Sequence, residues 1–318
     1  MSENAAKTRL QMHEAEARPM ITRRSMKVLA LNVVAGAALA VSQMGGVALA
    51  AGGEEPEIVR QPWTFSGMRG TFDRGQVQRG FKVYQEVCAA CHSVKRVYFR
   101  NLAEPGGPEF PADRVRELAR TWPNQIFDGP NDQGLIATSK GQIIKRPALP
   151  SDPILGPYDN DNAARAAQNG TLPPDLSLIT KARSAGGSSS FVTFLASLPR
   201  DIVRGYQEGG SDYLYALLTG YENPPANLKV AEGMSYNRVF PGHQIAMVPP
   251  LRAGQVKYAE GVPTTVDQYA RDVTAFLTWA SDPKLEERKS MGLIVFLYLL
   301  ITTVLLYFAK KRLWSRVH

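Results

Sequence analysis

Only two cysteines and four histidines occur in this chain of 318 residues. A closed zinc site takes about four such ligands, and the chain has few to offer. Basic charge is also missing where a nucleic-acid surface would need it. The formal net charge is +8, but residues 1–50 hold six Lys/Arg against three Asp/Glu, and the stretch after 309 holds four Lys/Arg and no acid. The body between them carries 27 basic against 26 acidic residues, so nucleic acid is excluded as a partner. No internal repeat is visible, and no βαβ pattern surrounds the cysteines, which argues against a thioredoxin-like dithiol. What remains is concentrated: both cysteines and one histidine fall in the pentapeptide Cys88-Ala89-Ala90-Cys91-His92. C-x-x-C-H is the pattern of covalent c-type haem attachment. Two thiols three positions apart can add across the two vinyl groups of a haem, and the adjacent histidine is placed to become an axial iron ligand. One covalently attached haem c is therefore expected, held by Cys88, Cys91 and His92.

The two ends read as targeting and anchoring segments. Residues 1–50 have a basic stretch with Arg23, Arg24 and Lys27, an apolar run from Val28 to Val41, and Ala48-Leu49-Ala50 as a cleavage site. Arg23-Arg24 has a twin-arginine look, but covalent haem addition needs accessible thiols, so export of an unfolded chain fits better; a retained anchor would need a longer apolar run. At the other end, residues 291–309 are 19 residues without a charge, about 28 Å as a helix at 1.5 Å per residue. That length matches the hydrocarbon core of a bilayer. Lys310, Lys311 and Arg312 follow at once, which predicts a cytoplasmic tail at 310–318 and a main domain on the outer face of a bacterial inner membrane, in the periplasm. The expected division is thus a cleaved signal at 1–50, a haem domain at 51–283, a charged linker at 284–290, a transmembrane helix at 291–309 in contact with membrane lipid, and a basic tail.

Within the domain, Val77, Phe81, Tyr84, Cys88 and Cys91 recur at helical steps, and Gly80 lies on the same side. The stretch from Val266 to Ala280 repeats the pattern, with Thr265 and Gln268 as a capping box. A glycine on the first helix would let the second approach closely. Shorter helices are predicted at Asp113 to Thr121, at Ala163 to Asn169 ended by Gly170, and at Asp212 to Thr219 capped by Ser211. Proline pairs at Pro173-Pro174, Pro224-Pro225 and Pro249-Pro250 mark loops that wrap rather than pair into sheets. Residues 184–210, rich in glycine and serine, read as an exposed insertion. The fold class expected is all-α: an enlarged cytochrome c-like haem domain with long Pro/Gly-rich loops, plus one C-terminal transmembrane helix.

An electron-transfer haem holds iron from both sides, so a second ligand must be sought. His13 falls in the signal and His318 in the tail, which leaves His243; Met68, Met234 and Met247 are the methionines outside the ends. Met247 lies in a loop stiffened by Pro241, Pro249 and Pro250, as a weak thioether ligand requires. Residue reading favours Met247, with His243, Met234 or an open position as alternatives.

The order of these stretches, from Val87 to Ser93, Asn169 to Arg183, Tyr213 to Tyr221, the Met247 loop and a single C-terminal span, resembles the cytochrome c1 family, the haem subunits of cytochrome bc1 complexes. The resemblance implies that Arg183 pairs with a haem propionate, that Asn169 and Pro174 line the haem pocket, and that Met247 is the axial metal ligand beside His92. It implies a one-electron relay, with no catalytic acid or base of its own. The electron would come from a Rieske iron–sulfur protein and pass to a soluble cytochrome c, within quinol oxidation by a dimeric complex built on cytochrome b. As an isolated chain this is a carrier; as a subunit it belongs to a quinol–cytochrome c reductase. The alternative is a stand-alone membrane-anchored cytochrome c. Glu54, Glu55, Glu57, Asp128, Asp132, Asp159 and Asp161 are the acidic groups that could dock a basic acceptor.

Overall fold

A computed structural model describes residues 58–127, 145–183 and 209–315. The expected signal at 1–50 lies outside the described residues. So do most of the 184–210 insertion and five of the acidic candidates, Glu54, Glu55, Glu57, Asp128 and Asp132.

The first helix, α1 (Arg74–Glu86), starts where Asp73 accepts a hydrogen bond from Gln76 N and buries Val77, Gly80, Phe81, Val83 and Tyr84. It stops before the cysteines. Val87 leaves the helical region, and a tighter 3-10 turn, Cys88–Ala90, replaces the α-helical continuation suggested by the sequence period. Strand β1 (Val94–Tyr98) follows, then a second 3-10 turn, Phe99–Ala103, helix α2 (Ala112–Thr121), and strands β2 (Ile126–Phe127), β3 (Lys145–Arg146) and β4 (Pro153–Ile154). Helices α3 (Asp161–Ala167), α4 (Ile179–Ala182) and α5 (Gly209–Thr219) lead to strands β5 (Ser235–Tyr236) and β6 (Gln244–Ile245). The chain ends in α6 (Val266–Ser281) and α7 (Leu285–Trp314).

The domain is helix-rich but not purely helical. Three antiparallel pairs, β1 with β4, β2 with β3 and β5 with β6, interrupt the loops. Each pair includes a strand of only two residues, too short to show a period of two in the sequence.

The core is the crossing of α1 and α6. A Cβ placed on Gly80 would stand 2.0 Å from the Asp272 carbonyl oxygen and 2.7 Å from Phe276 Cβ, so the backbones meet where only glycine fits. Phe81 and Tyr84 pack on Phe276, each with ring centroids 5.5 Å apart, and Tyr84 stacks on Trp122. Thr265 caps α6 as expected by accepting from Gln268 N. Ser211 is not a cap: α5 begins at Gly209, and the buried Ser211 Oγ lies 2.9 Å from Thr278 Oγ1 of α6. Close packing at Gly210, where a Cβ would meet Thr180 O at 1.7 Å, brings α4 against α5.

The charged run at 284–290 is helical from Leu285 and continuous with the apolar stretch that follows. Leu285 is buried. Arg74 donates to both Glu286 oxygens, at 2.7 and 2.8 Å, while Phe72 N donates to Oε1 at 2.7 Å. Lys289 Nζ donates to the Phe65 carbonyl. The helix root is therefore bound to the domain before the exposed apolar turns begin. Among the described residues, α7 is the one helix long and apolar enough to cross a membrane.

Candidate haem-attachment site

The end of α1 sets the attachment segment. His92 N donates to Cys88 O at 2.8 Å and Cys91 N to the same carbonyl at 3.1 Å, so one tight turn carries both thiols and the imidazole. Tyr84 Oη, from the preceding turns of α1, donates to His92 O at 3.2 Å. Neither cysteine is in a disulfide. Burial, helped by the neighbouring Cys91, pushes the Cys88 thiol up to about 12. A redox dithiol needs a low-pKa thiolate, and Cys88 is shifted the opposite way.

His92 is held by a segment 82 residues away. Its Nδ1 lies 2.8 Å from the Pro174 carbonyl oxygen. A carbonyl only accepts, so Nδ1 carries the proton and Nε2 keeps the lone pair. Burial lowers the pKa of the ring; the Pro174 bond and the Asp175 charge oppose it without reversing it. A neutral imidazole with Nδ1 tied to a carbonyl is the form that binds a metal through Nε2.

Pro174 thus acts through its carbonyl, a role its ring does not announce. The neighbouring Asp175 joins the two segments. Its Oδ2 accepts from Ser93 Oγ at 2.7 Å and Lys95 N at 2.8 Å, and its Oδ1 from Ser177 N at 3.0 Å. Burial works to raise this carboxyl, but the bonds from Lys95, Ser177 and Ser93 outweigh it and hold it below the usual carboxylate range. An Asp two residues before a Ser is a recognisable turn signal; its partners at Ser93 and Lys95 are not.

Asn169 follows α3 with φ +50°, and Gly170 continues at +84°, so the chain reverses in the left-handed region where Asn and Gly are the usual residues. The reversal places Gln168 beside the attachment segment: its Nε2 donates to Tyr158 Oη at 2.6 Å and lies 3.6 Å from Cys91 Sγ. Asn169 itself is exposed.

Met247 is positioned by the hairpin of β5 and β6. Its side chain packs on a separate cluster of Tyr213, Leu217, Val239 and Ile245, and Tyr221 Oη donates to its carbonyl at 3.1 Å. The knot of this loop is Asn237, fully buried, which donates to Leu217 O at 2.8 Å and accepts from Val239 N and Phe240 N. No sequence signal marked it. Met68 and Met234 are 66% and 40% exposed, as ordinary surface methionines are. His243 adopts φ +58° beside the Tyr236 ring. Arg183 ends α4, exposed, and its charge acts on the Tyr213 phenol against the effect of burial. Of the acidic candidates that are described, Asp159 pairs with Lys145 at 2.6 Å and Asp161 is exposed on the first turn of α3.

The attachment turn suits a c-type haem: two thiols and a neutral imidazole oriented through Nδ1 lie on one tight turn. Comparisons with known proteins agree. Residues 63–317 match the Cytochrome C1 family. A protein named cytochrome b/c1 from Bradyrhizobium diazoefficiens is 43% identical over 93% of this chain, although the chain spans only 41% of that relative's length. Cytochrome c1 of Blastochloris viridis is 44% identical over 85% of this chain and 90% of its own length; that of Rhodospirillum rubrum is 39% identical over 90% and 96%. The chain belongs to the cytochrome c1 family, c-type haem proteins of electron transport.

Proposed function

We propose that the chain is the haem subunit of a cytochrome bc1 complex, taking one electron from a Rieske iron–sulfur protein and passing it to a soluble cytochrome c. In this reading Cys88 and Cys91 would tether a single haem c, His92 Nε2 and the Met247 thioether would ligate its iron, Arg183 would pair with a propionate, and Asn169 and Pro174 would line the pocket. The bound haem supplies a one-electron couple; the chain sets its potential and access. The observation that carries the reading is the Pro174 carbonyl on His92 Nδ1 at 2.8 Å, which fixes the ring tautomer needed for ligation next to two attachment thiols. A thioether opposite histidine raises the potential, as does burial, which favours the less charged ferrous state.

Residues 1–50 would be removed on export, α7 would anchor the protein by a single pass, and Lys310 and Lys311 would lie on the cytoplasmic side with the haem domain in the periplasm. Cytochrome b is then the partner of the exposed face of α7, and the complex is dimeric. The test is the reduced-minus-oxidised spectrum of the full chain purified from membranes in mild detergent. Co-elution of b-type bands, with inhibitor-sensitive reduction of the c haem by quinol, is the expected result. A c-type band alone under several detergents would point to the stand-alone anchored carrier.

A further inference from the structure

Where His92 meets Pro174, each segment continues into a second connection. Ser93 follows His92 and Asp175 follows Pro174, and Ser93 Oγ donates to Asp175 Oδ2 at 2.7 Å. Further connections hold the same two stretches: Lys95 N to Asp175 Oδ2 at 2.8 Å, Leu176 N to Ser93 O at 2.8 Å, and Arg96 N to Ser177 Oγ at 3.0 Å. Asp175 Oδ1 meanwhile accepts from Ser177 N at 3.0 Å, which fixes the carboxylate plane. On the other side Gly156 leaves little room, since a Cβ there would stand 3.1 Å from Ser93 Cβ and 3.3 Å from the His92 carbonyl carbon. The carbonyl that holds the imidazole thus sits one peptide from a carboxylate with three hydrogen bonds.

We propose that Asp175 is a positioning residue for His92, locking the Pro174 carbonyl onto the ring nitrogen and so setting how strongly that ring donates to iron. The proposal rests on His92 being the haem ligand. A short Nδ1–H···O=C bond gives the imidazole anionic character and raises its basicity as a ligand, which favours the ferric state. If the clamp loosens, the carbonyl drifts, donation weakens and the midpoint potential rises.

Two variants separate positioning from simple charge. Asp175→Asn removes a negative charge near the site, which alone would raise the potential; Ser93→Ala removes one connection and leaves every charge in place. Ser93→Ala also keeps the test open should Asp175→Asn fail to take up haem. The full chain, labelled with 15N-histidine and reduced in detergent, is examined by NMR for exchange of the His92 Nδ1 proton, alongside redox titration. Expected in both variants are an exchange rate about tenfold faster, the factor corresponding to ~1.4 kcal/mol, and a higher midpoint potential, with the smaller change in Ser93→Ala. Exchange and potential unchanged in both variants, with only the melting temperature lowered, would overturn the proposal and leave Asp175 a turn residue. A wild-type protein without histidine-ligated haem would instead overturn the ligand reading beneath it.

Discussion

Replacing Gly80 by alanine tests the helix crossing on which the domain is built. Non-bonded heavy atoms settle at about 3.5–4.0 Å, and the new Cβ would start 2.0 Å from Asp272 O, short by roughly 1.5 Å on that scale. The obstacle is backbone, so no rotamer change relieves it; α1 and α6 must separate. Separation loosens the Phe81 and Tyr84 contacts with Phe276 and stretches the Arg79 to Asp272 pair, whose carboxylate is fully buried and holds Arg79 Nε at 3.0 Å. Overpacking of this kind costs ~1–3 kcal/mol, and a rigid obstacle puts the cost at the upper end. Alanine's helix preference returns up to ~1 kcal/mol, leaving a net loss of about 2 kcal/mol. At ~2–4 °C per kcal/mol for a domain this large, thermal melting of the haem-loaded protein should fall by several degrees. Gly75 on the same helix is the control: its Cβ would meet no backbone, only the capping Asp73 Oδ1 at 3.3 Å and the far end of Arg79 at 3.4 Å. Gly75→Ala should change stability far less than Gly80→Ala. A Gly80→Ala protein as stable as wild type, or a Gly75→Ala protein equally destabilised, would refute the reasoning.

Asn237→Ala strands the Val239 and Phe240 amides and the Leu217 carbonyl in a buried knot; a loss of ~2–4 kcal/mol and new carbon monoxide binding by the reduced protein, as the Met247 loop loosens, are expected from denaturation and optical spectra. Asp152 gives a pH signature: bonds from Arg146 at 2.6 and 3.1 Å, resisted by burial and aided by Leu149 N, hold its carboxyl below the ordinary range. A folded-state pKa below the unfolded value of ~3.9 adds stability above that pH and loses it as pH falls through the folded value. Asp152→Asn should therefore be less stable at neutral pH and show a shallower decline in acid, measured by denaturation across pH 2–7.

Local chemistry was the legible part of this chain. Cys88 to His92 announce themselves because attachment needs thiols and ligand within five residues. The faces of α1 and α6 follow from period 3.6, Gly80 from its place on the buried side, and the Thr265 cap from its own spacing. What stayed hidden is bonded across long sequence distances. Ser93 and Asp175 lie 82 residues apart, and Arg74 and Glu286 lie 212 apart; composition carries no trace of either pairing. The latter explains the stretch at 284–290, where charges read as solvent-loving linker residues although Glu286 and Lys289 spend their polar groups on Arg74 and the Phe65 carbonyl. The turn at Cys88 was hidden for a different reason: steps of three and four fit an α-helix and a tightened 3-10 turn alike. Asn237 resembles any loop asparagine until its three partners are seen.

The most direct test of the account is an equilibrium redox titration of Met247→Leu beside the wild type. Leucine fills similar space on the Tyr213 and Leu217 cluster but offers no lone pair. The midpoint potential should fall well below that of the wild type, with haem still attached through Cys88 and Cys91. A haem-loaded variant with an unchanged potential would contradict this and remove Met247 from the iron.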